Sequence, residues 1–178
     1  MIKVSFNESD YLSEMDCALC VRWHNDKRIR RCVLPHDNEA SYSKAVTFDD
    51  VRADRGPGPK EKYLVDLMIM LEMQPVGMAS ALLDPKFKRN SQPGTAWIRI
   101  LIGEEYARRG GIGRFTLGHV ETLCKSKGAK FAEVSHYEFD TGAKEFFRAC
   151  GYRNLARIPG VTWWNDKKWA EIRMVKEL

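Results

Sequence analysis

The stretch Arg108-Arg109-Gly110-Gly111-Ile112-Gly113-Arg114 constrains this chain more than any other, because its glycines fall between an apolar extended run and a helical pattern. Upstream, Ile98, Ile100 and Ile102 alternate with Trp97, Arg99 and Leu101, which predicts a strand with at least one packed face. Downstream, Ile112, Phe115, His119, Val120 and Leu123 recur at three and four residues and predict a helix over residues 112–127. Glycines in the turn between them remove the Cβ atoms that would keep a ligand away from the backbone. The first N–H groups of the helix have no intrahelical partner, and the helix dipole makes that end partly positive. A strand–turn–helix of this kind binds phosphate.

The spacing narrows the choice. A dinucleotide fingerprint needs G-x-G-x-x-G, and glycines at 110, 111 and 113 do not supply it; no Gly-Lys-Ser/Thr ends the turn, so a P-loop fails too. What remains is R-x-x-G-x-G, Arg108 to Gly113, which resembles the acyl-coenzyme A site of the GNAT superfamily of N-acyltransferases. The plainer alternative is a glycine-rich turn with solvated arginines. The resemblance implies that the backbone N–H groups of Arg109, Gly110, Gly111, Ile112, Gly113 and Arg114 hold the pyrophosphate of acetyl-CoA. The Arg108 or Arg114 guanidinium would add charge-assisted bonds, and the pantetheine arm would pair along Leu101, Ile102 and Gly103.

A length of 178 residues predicts one domain, residues 1–178, able to bury a full core. No signal-peptide-like segment and no apolar run near 18 residues are found, and the five cysteines fit a reducing compartment, so the expectation is a cytoplasmic protein with no membrane partner. The net charge of +5 is modest and concentrates at the glycine turn, which argues against nucleic acid as a partner. Cys17 and Cys20, with His24 and Cys32 nearby, lie in a predicted helix and lack a matching second pair, so no metal site is expected.

Along the chain, residues 2–6 alternate as a strand. A helix is predicted from about Ser9 to Trp23, capped by Asn7 or Ser9, with Leu12, Met15 and Leu19 inward. Trp23, Asn25, Asp26 and Ile29 form W-x-N-D-x-x-I, which resembles the GNAT branch containing ribosomal-protein-alanine, spermidine and some aminoglycoside acetyltransferases. A buried tryptophan ending a helix is the simpler alternative. Residues 38–54 suggest a second helix with Phe48 and Val51 inward, and residues 54–60 break the pattern as a loop. Two strands, from Tyr63 to Glu72 and from Val76 to Leu83, form a hairpin with Gln74-Pro75 at the turn. A basic loop spans Asp84 to Gly94, a strand Lys130 to Tyr137, and a short helix Thr141 to Cys150, with Gly151 as its stop. The tail reads as two strands around residues 165–168.

One strand–helix–strand crossover among hairpins demands a mixed sheet. The expected fold is therefore α/β (α+β): a GNAT-like mixed, mostly antiparallel sheet of six to seven strands with splayed central strands, and about four helices.

The family's short helix carries N-x-x-A-x-x-x-Y-x-x-x-G-F, and Asp140, Ala143, Phe147, Gly151 and Tyr152 stand at those positions. Asp140 and Phe147 thus fall in the implied cofactor site, but Phe147 replaces the tyrosine that in many members gives a proton to the leaving thiolate. A thiol of pKa about 8.5 leaves without much help near neutral pH. Tyr152, Tyr137 and Cys150 are candidate substitutes. The resemblance implies direct attack of an amine on the thioester. Glu104, Glu105 and His136 are the candidate bases, and a backbone N–H around Leu101 to Gly103 would polarise the carbonyl.

The expected activity is transfer of acetyl from acetyl-CoA to a primary amine of a small molecule or a protein N-terminus, by a monomer or homodimer. The alternative is a non-catalytic acyl-CoA-binding module of the same fold. Trp23, Trp163, Trp164 and Trp169 are candidates to line the acceptor pocket. A polycationic acceptor would need an acidic wall, for which Asp49, Asp50, Asp54, Glu61 and Asp66 are the available acids.

Overall fold

The computed structural model describes residues 3–8, 12–55 and 63–178. Seven strands form one sheet in the order β1-β2-β3-β4-β5-β7-β6. They are β1 (Val4–Glu8), β2 (Val65–Leu71), β3 (Gln74–Leu83), β4 (Thr95–Ile102), β5 (Phe131–Tyr137), β6 (Arg153–Trp164) and β7 (Lys167–Glu177). Every neighbouring pair is antiparallel except β4 with β5, which the helix α5 (Ile112–Ser126) connects as a crossover; a second crossover, beyond the one expected, carries the chain from β5 past β7 to β6. Between β1 and β2 lie α1 (Glu14–Asn25), α2 (Lys27–Val33), α3 (Glu39–Ser43) and α4 (Phe48–Arg55); α6 (Thr141–Ala149) follows β5. The fold class and sheet are those expected from the sequence. Among the described residues six α-helices replace the expected four, because the segment over residues 38–54 is two helices and α2 stands apart from α1.

The sheet separates two cores. Ala96, Ile98, Ile100 and Ile102 of β4 and Ala132 and Val134 of β5 join α5 on one face. Leu101, Met68 and Met78 join α1, α2 and α4 on the other. The period of two in β4 therefore serves both faces, since each is covered by helices.

Several local expectations are corrected. Ser13 caps α1, accepting from Asp16 N at 3.1 Å, a contact worth about 1 kcal/mol; Ser9 lies outside the described residues. The inward face of α1 is Cys17, Cys20 and Trp23, whereas Met15 is 76% exposed. In α5 the buried line runs Ile112, Thr116, Leu117, Val120 and Cys124, and Phe115 faces out to stack with Phe6. The β2–β3 turn is Glu72-Met73, both at positive φ, as a tight hairpin twist requires, so Gln74 already belongs to β3. The loop expected over residues 54–60 lies mostly outside the described residues; Arg55 still belongs to α4.

Candidate active site

The parallel ladder between β4 and β5 is short. Thr95, Ala96 and Trp97 pair with Phe131, Ala132 and Glu133, and there the register ends. The two strands then diverge toward Ile102 and Tyr137, and the gap between them belongs to a cavity of about 800 Å³ lined by Ile98 to Leu101 on one side and Ser135 to Tyr137 on the other.

The other neighbour of β4 fixes which peptide groups face that gap. Asp84 N donates to Thr95 O at 2.8 Å, and Gly103 N donates to Val76 O at 2.8 Å. In an antiparallel ladder the residues bonded to one neighbour alternate with those facing away. The odd-numbered residues, Leu101 and Gly103 included, thus spend their peptide groups on β3, and the N–H groups of Ile100 and Ile102 face the gap. This narrows the expectation of a backbone N–H around Leu101 to Gly103 to that of Ile102 within the range, since Gly103 and Glu104 both donate to Val76 O.

At the open end of the gap stands the glycine turn. Arg109 and Gly111 adopt positive φ of 64° and 83°, and Gly111 is the N-cap of α5. The first helical bond here is Phe115 N to Gly111 O at 3.0 Å, so the N–H groups of Ile112, Gly113 and Arg114 precede the hydrogen-bonded ladder. A Cβ on Gly110 or Gly111 would have no atom within 4 Å, whereas one on Gly113 would meet the Phe146 ring at 3.5 Å. The arginines divide. Arg108 turns back, Nε to Ile102 O at 3.0 Å and Nη2 to Gly103 O at 3.1 Å, while Arg114 donates to Ala149 O and so ties α5 to α6. Arg109 is exposed over the turn.

The remaining candidates are not gathered at one point. Asp140 caps α6, accepting from Ala143 N at 3.0 Å. Phe147 is 6% exposed, lines the cavity and packs edge-on against Tyr152. The Tyr152 hydroxyl points the other way and donates to Glu121 Oε1 at 2.8 Å. Glu104 accepts from Trp23 Nε1 at 2.8 Å and from Arg22, and Glu105 accepts from Arg28 at 2.7 Å, so both carboxylates brace α1 and α2 against the turn. Of the proposed acids and bases only His136 and Tyr137 line the cavity. The Nδ1 of His136 lies 2.9 Å from Tyr137 O, and a carbonyl only accepts, so Nδ1 carries the proton and Nε2 the lone pair. That Nε2 is buried and has no partner among the described residues. Burial pushes the Tyr137 phenol up, which keeps it protonated but makes this candidate donor a weaker acid than a free phenol.

The W-x-N-D-x-x-I segment is a corner. Trp23 covers Gly103, Asn25 brackets Val46 through both its N–H and its carbonyl, Asp26 caps α2, and Ile29 is buried. Sequence reasoning missed His24, whose ring lines the cavity, with Nδ1 2.7 Å from Cys20 O. It also missed Arg30, 6% exposed and fully engaged with neutral oxygens of residues 25–44. Helical spacing from Cys20 to His24 is the signal that would have found the first. The four tryptophans proposed for the acceptor pocket do not line the cavity; Trp97 does. Trp164 and Trp169 pack on Phe139 instead.

A mixed seven-stranded sheet opened between its parallel central strands, with a glycine-rich helix N-terminus at the opening, is an acyltransferase architecture. The Acetyltransferase (GNAT) family profile matches residues 18–152, and the chain belongs to that family. Among solved structures, the ribosomal-protein-alanine N-acetyltransferase of Brucella melitensis superposes with a TM-score of 0.66 at 17% identity, covering 98% of this chain and 99% of that one. An N-acetyltransferase of Staphylococcus aureus Mu50 gives 0.68 at 14%, covering 98% of each chain. The yncA protein of Salmonella typhimurium, whose structure holds its cofactor acetyl-CoA, gives 0.68 at 15%, covering 98% of this chain and 94% of that one. No curated protein matches the sequence. Among the described residues no helix is long and apolar enough to cross a membrane.

Proposed function

We propose that the chain transfers the acetyl group of acetyl-CoA to a primary amine by direct attack of the amine on the thioester. The observation that carries this reading is the end of the β4–β5 ladder at Trp97, which leaves the N–H groups of Ile100 and Ile102 facing a gap. There the pantetheine arm can pair as an extra strand, and one N–H can bond the thioester oxygen more strongly as it gains charge. The pyrophosphate would sit on the N–H groups from Arg109 to Arg114, in the space left open at Gly110 and Gly111. Arg109, exposed and without an ion pair among the described residues, supplies a cation there, and Arg108 and Arg114 act by holding the turn to β4 and α6.

His136 is the base we favour. Its Nε2 lone pair accepts the proton as the amine nitrogen bonds to the carbonyl carbon, and the C–S bond then breaks to release the thiolate. Glu104 and Glu105 position α1 and α2, and Tyr152 has no part in the chemistry. With Phe147 in the ring position, the thiolate leaves without a phenolic donor, as a thiol of pKa about 8.5 allows. The rival reading, acyl-CoA binding without turnover, rests on that same Phe147.

Calorimetric titration with acetyl-CoA, followed by thiol-release assays on an amine panel, tests the proposal. Micromolar binding with turnover supports it, binding without turnover favours the rival, and no binding sinks both.

A further inference from the structure

The ionic groups around the cavity are matched. Arg55 is paired with Asp66 inside the protein, Arg173 with Glu133 at 3.1 Å and with Glu171 at 3.0 Å, and Arg99 with Asp54 at 3.7 Å. Arg30 spends its guanidinium on Asn25 Oδ1 and on the carbonyls of Ser41, Tyr42 and Lys44, and Asp50 accepts from Thr47 N at 2.8 Å under the influence of the Lys44 charge. Asp49 is exposed on α4, and Glu61 lies outside the described residues. A second charge on the acceptor, of either sign, would therefore be desolvated against a wall whose ions already have partners, and would gain little there.

What the wall leaves open is apolar. Phe87, on the loop between β3 and β4, keeps 46% of its surface exposed, and it lines both this cavity and a smaller one of about 290 Å³ beside Tyr63. The loop that carries it is fastened on either side of the ring. Asp84 accepts from Gly94 N at 2.8 Å and Thr95 N at 3.0 Å and pairs with Lys88 at 2.6 Å. Glu133, fully buried, accepts from Arg89 N at 3.0 Å and from Asn90 N at 2.8 Å. The Phe87 ring also meets Trp97 edge-on at 5.7 Å, and the Arg173 guanidinium stands 4.2 Å from the centre of that indole. Phe87 is thus an aromatic held in place with open surface toward the cavity, where an apolar group that covers it gains the burial it lacks.

Resting on the acetyl-transfer reading above, we infer that the acceptor is a small primary amine on an uncharged apolar substituent, and that Phe87, backed by Trp97, is the side chain that receives the substituent and sets the specificity. The two ends of the slot give its length. The amine is needed at the gap, by the Ile100 N–H and His136, and Trp97 stands three residues back along β4, about 10 Å at roughly 3.3 Å per residue. A six-carbon chain with one van der Waals contact to the ring bridges that span. The cavity is closed toward the β6–β7 hairpin, since His36 N donates to Thr162 Oγ1 at 3.1 Å and His36 O accepts from Trp163 N, and a volume near 800 Å³ behind such a strap suits a whole small molecule.

The test is a thiol-release assay with acetyl-CoA on the n-alkylamines from ethylamine to hexylamine, whose amino groups share nearly one basicity, beside 6-aminohexanoate, 1,6-diaminohexane and a tripeptide. The three six-carbon amines differ only in a neutral, anionic or cationic far end. A fully buried methylene is worth about fourfold, so even a half-covered chain should raise kcat/KM about tenfold or more from ethylamine to hexylamine. Both chains with a charged end should fall about tenfold or more below hexylamine. Phe87→Ala should lose about tenfold on hexylamine, in KM rather than kcat, and less than about threefold on ethylamine, with the acetyl-CoA Kd from calorimetry unchanged. Phe87→Leu, which keeps an apolar side chain, should retain most of the preference. The inference is overturned by turnover that does not rise with chain length, by a charged-end chain or the tripeptide used as well as hexylamine, or by acetyl-CoA binding with no amine used. It is overturned too if Phe87→Ala leaves the rise intact or slows ethylamine and hexylamine alike, as a merely structural role would. Failure of acetyl-CoA to bind is a different result, which defeats the acetyl-transfer reading itself.

Discussion

The indole of Trp23 lies so close to Gly103 that a Cβ on the glycine would stand 2.2 Å from the ring, and the indole Nε1 donates to Glu104, the next residue, at 2.8 Å. One side chain thus fixes the end of β4 from above while Val76 O fixes it from β3. Gly103→Ala must displace the ring or the strand end, an overpacking cost of about 1–3 kcal/mol. The melting temperature should fall, and kcat should fall with it, because the Ile100 and Ile102 N–H groups lose their set direction. A variant with native stability and native kcat would show that this contact does not position the strand.

His136 and Tyr152 make opposite predictions. Removing a general base costs about 10²- to 10⁴-fold, so His136→Gln should lose kcat on that scale while calorimetry gives an unchanged Kd for acetyl-CoA. Tyr152→Phe removes a hydroxyl bonded to Glu121, whose other oxygen takes Lys176 at 2.6 Å. It should cost about 1 kcal/mol of stability and leave kcat within about twofold. Exchange of these two outcomes would reverse the assignment.

What the sequence made legible was local. The glycine turn, the strand before it and the helix after it are written in contiguous residues, and so is the short helix that starts at Thr141 and stops at Gly151. The atoms that face the gap were not legible, because the choice between Leu101 and Ile102 depends on which residues β3 has taken, and nothing near residue 102 encodes the register with Val76. The acidic cluster misled for a similar reason. Asp66 and Asp54 look available in sequence, but the chain brings Arg55 against the one and Tyr63 with Arg99 against the other. Likewise Met15 sits at helical spacing from Leu12 and Leu19, yet the neighbouring face with Cys17, Cys20 and Trp23 is the one that meets Met68 and Met78.

The two lowered histidines give the protein a pH dependence of defined sign. His24 and His36 are both held below the ordinary value of 6.5, chiefly by burial. As pH falls through 6.5 the unfolded chain takes up protons that the native chain does not, so stability rises with pH across this window. Each histidine contributes at most about 1.4 kcal/mol per pH unit there. Urea midpoints should therefore drop between pH 7.5 and 5.5, and His24→Gln should flatten the slope. An unchanged slope would mean that His24 titrates as it does in the unfolded chain.

Gly110 and Gly111 separate ligand space from backbone strain. Neither would bring a Cβ within 4 Å of another atom, but Gly111 holds φ at 83° as the N-cap of α5 and Gly110 has no such positive φ. Gly111→Ala forces an L-residue into the left-handed region, at about 1–2 kcal/mol, so stability and acetyl-CoA affinity should fall together. Gly110→Ala adds one methyl to open space on a backbone that accepts it, so the melting temperature should hold within a degree or two. If that space is where the pyrophosphate lies against the peptide groups, the same methyl should raise the acetyl-CoA Kd by tenfold or more. A Gly110→Ala protein that binds acetyl-CoA as the native one does would move the phosphate site away from this turn.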